Sequence, residues 1–182
     1  NGKYPVEAVR MMALITTTTE SSSEYLGRMK SVDTAYRPSL EIGHTVAHSA
    51  YKLARNLQAK AVLIPTLHGN TARMIATYRP EQIVIAVTPS KKVVRQLMLQ
   101  WGVLLYCCEL AEDSDTMIQN AVKLALDNHA VNVSDIVVLC AGIPLSSPLM
   151  ANTIRVLIVG NILARGTAFG FANPTIKRAS GK

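Results

Sequence analysis

Apolar residues recur at helical spacing near the amino end of the chain. Val6, Val9 and Ala13 fall on one face of a helix, and Pro5 suits its first position. The polar run Thr16–Ser23 either ends this helix or begins another one. The pattern therefore predicts an N-terminal helical segment.

From about residue 40 onward, helices alternate with short apolar runs. Arg37-Pro38-Ser39 is typical of a linker, and a long amphipathic helix is predicted over about residues 40–58. Predicted strands then alternate with helices at 71–79, after Pro89-Ser90, and at 113–129. The strands are residues 61–65, 83–88, 103–108, 136–141 and 153–159.

These runs are rich in Val and Ile and do not alternate with polar residues, which is typical of strands buried on both faces of a parallel sheet. Only the loop Gly142–Asn152 separates the fourth run from the fifth. Because a parallel connection needs a crossover, the last strand is predicted to be an antiparallel edge strand.

Composition narrows the function classes. The 182 residues are 49% hydrophobic and 17% charged, which suits one folded domain with a sizeable core. The formal charge is +7, but the cations are scattered and the chain has one Trp and two Phe, which argues against nucleic acid. No apolar run approaches the roughly 20 residues of a membrane-spanning helix. We expect neither nucleic acid nor membrane as a partner.

The three cysteines all lie in apolar runs, and two of them are adjacent. An odd count suits no disulfide framework. Cys107, Cys108 and Cys140 are therefore predicted to be buried, reduced thiols in a cytoplasmic protein.

One turn has the features of an anion site. The first strand ends at Thr66-Leu67-His68-Gly69-Asn70-Thr71, and a helix follows at once. Gly69 permits a positive φ, which would leave the amides of His68 to Ala72 free at a helix N-terminus. Hydroxyls of Thr66 and Thr71 and the His68 ring would add donors. The alternative is a plain connection with Thr71 as the N-cap.

Three stretches resemble the C-terminal domain of pyruvate kinases, in that family's order. They are Gly2–Val9, the stretch Leu53–Trp101 that includes the Thr66–Thr71 turn, and Asn152–Val156. The resemblance covers roughly residues 2–166. It implies an α/β fold that is a three-layer αβα sandwich, with a five-stranded mostly parallel sheet, an antiparallel last strand and additional N-terminal helices.

The resemblance also implies a domain plan and a role. Residues 1–38 would be an N-terminal helical segment at the end of the barrel domain, 39–160 the α/β domain, and 161–182 a tail or linker. The role would be regulation and oligomerisation, as a dimer or tetramer through the last strand and flanking helices, in an enzyme converting phosphoenolpyruvate and ADP to pyruvate and ATP. The implied residues that bind a phosphorylated effector are Thr66, His68, Gly69, Asn70, Thr71, Ser146 and Ser147.

The chain departs from the family pattern in ways that bear on the effector. His68 stands where the family favours Ser or Thr. Leu110 and Met117 stand near the positions where members regulated by fructose bisphosphate carry Trp and Arg. The loop Gly142–Asn152 has Pro144, Ser146, Ser147 and Pro148 where glycines are usual. These departures favour a monophosphate, or a site that has lost its ligand.

No catalytic or metal-binding residue is predicted in this chain. The resemblance places the catalytic groups, with Mg and K, on a barrel upstream of Gly2, so the chain alone is predicted to be inactive. His44 and His48 share a helix face, but zinc would need a further ligand. Asp113 and Asp115 are typical of an acidic first helical turn.

Two other functions fit the same pattern. One is a free-standing sensor of phosphorylated metabolites, and a start codon directly upstream of Asn1 would distinguish it from a fragment of a kinase. The other is an oxidoreductase with a Rossmann-like layout, which fold analogy alone supports, since the three-glycine dinucleotide motif is absent.

Overall fold

Five strands form one mixed sheet in the computed structural model, which describes residues 2–25, 27–28, 41–111, 113–143 and 151–160. The strand order is β3-β2-β1-β4-β5. Pairs β1–β2, β1–β4 and β2–β3 are parallel, and β4–β5 is antiparallel. The strands are β1 (Ala61–Pro65), β2 (Ile83–Thr88), β3 (Val103–Cys107), β4 (Ile136–Ala141) and β5 (Thr153–Ile158). The predicted sheet is confirmed, with ends correct to one residue.

Helices alternate with these strands as the sequence predicts. Their bounds are α1 (Pro5–Glu20), α2 (Ile42–Asn56), α3 (Asn70–Thr77), α4 (Lys91–Leu97) and α5 (Ser114–Asp127). The side chain of Ser90 accepts a hydrogen bond from the amide of Val93, and that of Asp113 accepts one from the amide of Thr116. Both are N-caps of the kind that start helices, so local chemistry explains where α4 and α5 begin.

Two apolar clusters lie on opposite faces of the sheet because side chains alternate along each strand. Val62 and Ile64 of β1 face the cluster that contains Ala47, Ala50 and Ala54 of α2, residues of α3, and Val93 and Leu97 of α4. Ala61 and Leu63 face the cluster that contains Ile118, Ala121 and Ala125 of α5. The three-layer sandwich is therefore confirmed.

The strand order explains which helix covers which face. The chain moves from β1 to β2 to β3 in one direction, and then returns past β1 to reach β4. Right-handed crossovers consequently put α3 and α4 on one face and α5 on the other. The direction reverses between β1 and β4, which is the place where open α/β sheets bind ligands.

Helix α1 makes no buried contact in the part of the chain that is described. It runs through the polar stretch to Glu20, and the hydroxyls of Thr16, Thr17 and Thr19 donate to carbonyls one turn earlier. Ser22 Oγ then accepts from the amide of Tyr25 at 3.2 Å. Thus the polar run continues helix α1 to Glu20, and a separate, unlabelled helical stretch starts after Ser22.

Some expectations lie outside the described residues. Both predicted domain boundaries, at 38/39 and 160/161, adjoin residues that the structure does not describe, so the division stays a prediction. Within the described ranges, no helix is long and apolar enough to cross a membrane.

Candidate functional site

The turn after β1 has a left-handed glycine at its centre. Gly69 has φ +79° and directly precedes α3, which begins at Asn70. Its amide donates to Thr66 Oγ1 at 2.9 Å, and its carbonyl accepts from the amide of Arg73 at 3.1 Å. Thr71 lies inside the first helical turn and is buried, so the alternative in which Thr71 is the N-cap is wrong.

Three amides at the start of α3 remain without a protein acceptor. Among the described residues, none pairs with the N–H groups of Asn70, Thr71 or Ala72. These are the donors that every α-helix leaves unpaired at its first turn, and the helix dipole makes their surroundings favourable to an anion. The Gly69 amide donates to Thr66 Oγ1 instead, so it is not one of the free donors that the sequence had suggested.

The structure adds a cation that the sequence reasoning missed. Nη1 of Arg73 donates to the carbonyl of His68 and to Asn70 Oδ1, each at 3.1 Å. Nη2 of the same residue donates to Gln96 Oε1 of α4 at 3.3 Å. The guanidinium therefore folds back onto the turn. Its spacing of three residues from Asn70, on one face of a helix, is the signal that could have revealed it.

Helix α4 packs against the back of this turn. A Cβ atom on Gly69 would lie 3.0 Å from Cγ1 of Val93 and 3.1 Å from Cδ1 of Leu97. Glycine is thus needed here for its positive φ and for the close approach of α4. The predicted residues Thr66, His68, Gly69, Asn70 and Thr71 all lie in this one turn, where His68 and Asn70 are exposed.

The second half of the predicted site follows β4. Asn152 ties the ends of that loop together: its Oδ1 accepts from the amide of Ile143 at 2.9 Å, and its Nδ2 donates to the carbonyl of Ile143 at 2.7 Å. The Asn152 amide also donates to Ala141 at 3.0 Å. Ser146 and Ser147 lie outside the described residues, so their part in the site stays a prediction.

The positions that would grip a second phosphate offer no charge. Leu110 is exposed, and Met117 is buried with its Sδ 3.6 Å from the Sγ of Cys108. Neither side chain can pair with a phosphate group.

The cysteines correct one expectation. All three are free thiols, but Cys107 is exposed and Cys108 is half-buried, so only Cys140 is buried as predicted. Cys107 is the last residue of β3, which is an edge strand of the sheet, and this explains its exposure. Burial raises the pKa of the Cys140 thiol to about 12, and burial also raises the pKa of Cys108.

No metal centre is formed by the side chains that the structure describes, since no group of three His, Cys, Asp or Glu residues lies close enough to hold an ion. Nε2 of His44 lies 3.4 Å from Oε2 of Glu41. The shared helix face of His44 and His48 therefore gathers no further ligand in the described ranges.

Comparisons with known proteins agree with this geometry. The family model of the pyruvate kinase alpha/beta domain matches residues 44–157, which is more than half of the chain. A pyruvate kinase of Staphylococcus epidermidis is 36% identical over 173 residues, and one of Sporosarcina psychrophila is 37% identical over 171 residues. Each alignment covers 93% of this chain and 28% of the relative.

Solved structures give the same answer. A pyruvate kinase of Cryptosporidium parvum superposes with a TM-score of 0.74 at 27% identity, covering 87% of this chain and 31% of that one. The same organism's pyruvate kinase in complex with ADP superposes with a TM-score of 0.70 at 28% identity. This chain thus spans less than a third of the relatives that it matches, and within that span it belongs to the pyruvate kinase family, whose alpha/beta domain it carries.

Proposed function

We propose that this chain is the regulatory part of a pyruvate kinase and binds a phosphorylated effector at the turn between β1 and α3. The observation that carries the proposal is the row of unpaired amides of Asn70, Thr71 and Ala72 beside a left-handed Gly69. Backbone donors at a helix N-terminus form a ready site for a phosphate group.

The position of the turn in the sheet supports the proposal. The turn follows β1, and the Asn152-tied loop follows β4, so the two connections flank the point at which the strand order reverses. Ligands of open α/β sheets bind in the crevice between such connections. Ser146 and Ser147 belong to the second connection, and we propose that they contribute hydroxyl donors to the effector.

Local charge supports a single phosphate group. Arg73 is held on the turn by His68 and Asn70, and it would add one cation to the amide donors. Leu110 and Met117 offer no partner for a second phosphate. We therefore propose a monophosphate effector, of which sugar phosphates and nucleoside monophosphates are the two classes.

Calorimetric titration tests this directly. Glucose 6-phosphate and AMP represent the two classes, and glucose and adenosine are their matched controls without phosphate. We expect heat from at least one phosphorylated compound and none from its control. Arg73→Gln should weaken the binding, whereas Arg95→Gln on the exposed side of α4 should leave it unchanged. Absence of heat from sugar phosphates and nucleoside monophosphates alike would refute the effector site.

A second role, in subunit contact, rests on a different observation. Val156 and Ile158 of the edge strand β5 are 47% and 45% exposed. An apolar edge strand with unpaired backbone groups is a liability that a partner strand removes. We propose that two copies of this domain meet through β5 and the flanking helices in a symmetric oligomer.

The reaction of the whole enzyme is a further part of the proposal. Transfer of phosphate from phosphoenolpyruvate to ADP needs metal ions and positioned cations. We propose that those groups lie in the parts of a pyruvate kinase that this chain does not span, and that this chain regulates them. Fusion of the chain to a homologous barrel, followed by assay with and without glucose 6-phosphate or AMP, tests the role in regulation.

A further inference from the structure

Four side chains connect the N-terminal segment, residues 2–25, to the α/β part of the chain. Nε1 of Trp101 donates to Glu20 Oε1 at 2.9 Å, and Nη1 of Arg79 donates to the hydroxyl of Tyr25 at 2.9 Å. The guanidinium of Arg79 also lies over the Trp101 ring, 5.3 Å from its centroid. We name this set the Trp101 cluster. It joins residues that are 54 and 81 positions apart in the sequence.

The Trp101 cluster is linked to the effector turn through α3. That helix begins at Asn70 in the turn and ends at Thr77, two residues before Arg79. Its eight residues span about 12 Å, and most of them are buried, so it can move only as a unit. The amide of Arg79 donates to the carbonyl of Ala76 at 3.1 Å, which fixes Arg79 to the end of the helix.

A second connection runs through α4. Val93 and Leu97 of this helix touch Gly69, and Gln96 accepts from Arg73. The last turn continues through the bond from the amide of Gln100 to the carbonyl of Leu97, and Trp101 follows. Helix α3 thus has one end at the turn and the other next to Arg79, whereas α4 lies against the turn from Val93 to Leu97 and leads directly into Trp101.

We infer that the Trp101 cluster transmits occupancy of the effector turn to the N-terminal segment. The inference rests on the proposed function of that turn. An anion bound to the amides of Asn70 to Ala72 would pull α3 towards itself. It would also rearrange the contacts of Arg73 with Asn70 and Gln96. Because α3 and α4 are rigid, the displacement reaches Arg79 and Trp101, whose contacts with Tyr25 and Glu20 are exposed and free to adjust.

Thermodynamic reciprocity makes the inference measurable. If effector binding alters the contacts of the cluster, then breaking those contacts must alter the affinity for the effector by the same factor. We expect Glu20→Ala and Arg79→Ala, which remove the acceptor and the cation, each to change the dissociation constant of the phosphorylated probe, glucose 6-phosphate or AMP, by about fivefold or more. Glu7→Ala, which removes an exposed carboxylate of α1 away from the cluster, should change it by less than about twofold.

Trp101 also supplies a direct optical readout, since it is the chain's single tryptophan. Addition of the probe to the wild-type chain should shift its emission, and the shift should shrink in Glu20→Ala. If the probe binds with normal heat while the emission and the affinities of Glu20→Ala and Arg79→Ala stay unchanged, the inference is overturned and the effector site stands.

A ligand-free experiment separates the two proposals. Arg73 lies in the middle of α3 and Arg79 lies two residues beyond its end, a separation at which effects on stability normally add. We expect the melting temperature of the double variant, Arg73→Ala with Arg79→Ala, to deviate from additivity by about 2 °C, whereas Arg95→Ala combined with Arg79→Ala adds. Should no probe bind, the effector site fails, and this cycle alone decides whether Arg73 and Arg79 are coupled. Additivity in both pairs would overturn the inference.

Discussion

Among the described residues, three helices end at a residue in the left-handed region, and none of these three residues is glycine. Gln58, Arg79 and His129 have φ of +49°, +45° and +55°. The amides of Gln58 and Ala59 donate to the carbonyls of Arg55 and Ala54, which is the paired pattern that usually ends on glycine. His129 and Ala130 repeat it with Leu126 and Ala125 at the end of α5. Each side chain therefore carries a backbone strain that glycine would relieve.

Replacement of these residues by glycine should stabilise the chain where the side chain does nothing else. We expect Gln58→Gly and His129→Gly each to raise the free energy of unfolding by about 0.5 kcal/mol, because removal of the left-handed strain exceeds the entropy that glycine costs. Denaturant unfolding measures the change. Arg79→Gly is the contrast: it loses the contacts with Tyr25 and Trp101, so it should gain nothing.

Gly69 and Gly102 allow two causes of strain to be separated. Both have positive φ, +79° and +66°, but only Gly69 is in close contact with other side chains, those of Val93 and Leu97. Gly102→Ala should cost about 1 kcal/mol for the backbone conformation alone. Gly69→Ala should cost more, by about 1 kcal/mol, because α4 must move as well. If both variants lose the same stability in thermal unfolding, then α4 adjusts to the added methyl group without cost.

The candidate site could be predicted only as far as local rules reach. Gly69 and the helix that follows it were evident, because a strand that ends in a glycine turn before a helix has few conformations. The bond from Gly69 to Thr66 and the role of Arg73 were not, since both depend on where side chains lie after folding. A buried Thr71 inside the helix, in place of an N-cap, has the same origin.

At the scale of elements, α5 shows how a cap couples to pH. The hydroxyl of Thr116 donates to Asp113 Oδ2 at 2.7 Å and its amide donates to Oδ1 at 2.8 Å. These bonds, the hydroxyl's first, lower the pKa of Asp113 below its ordinary value. A lowered pKa in the folded state means that the stabilisation is present above the unfolded pKa and is lost as the pH falls through the folded one.

Asp113→Asn keeps an N-cap of similar quality but removes the titration. We expect wild type to be the more stable of the two at neutral pH, and the difference to vanish as the pH falls below the ordinary range of an aspartate. Melting temperatures of both proteins between pH 7 and the acid limit of folding check this. Asp115→Asn, in the same helical turn, is the control. A constant difference between Asp113→Asn and wild type would contradict the assignment.

The elements themselves were largely predictable, because apolar periodicity and turn residues agree along most of the chain. All five strands and the helices between them fall within two residues of the pattern. Helix α1 is the exception, because the sequence did not predict where it ends. Threonines disfavour helices, so the polar run could have ended it. Their hydroxyls bond to carbonyls of the preceding turn, which lets the helix continue to Glu20. Because the residues of this stretch are exposed, they show no apolar periodicity from which the end of the helix could be predicted.

At the scale of the whole molecule, two apolar surfaces lack cover in the described residues. Helix α1 has no buried residue, and its apolar side chains Val9, Met12 and Leu14 are each more than 60% exposed. The second surface is the β5 edge. Large apolar patches of this kind mark contacts with other protein surfaces.

Matched variants on the two edge strands distinguish the proposed subunit contact from non-specific association. Val156 of β5 and Leu104 of β3 are exposed by 47% and 38%, at opposite edges of one sheet. A lysine on an edge strand disfavours pairing with another strand. We expect Val156→Lys to lower the association state measured by light scattering, and Leu104→Lys to leave it unchanged. Melting temperatures at low concentration should differ little, since both positions face outward. If both variants reduce association equally, then β5 is no specific interface.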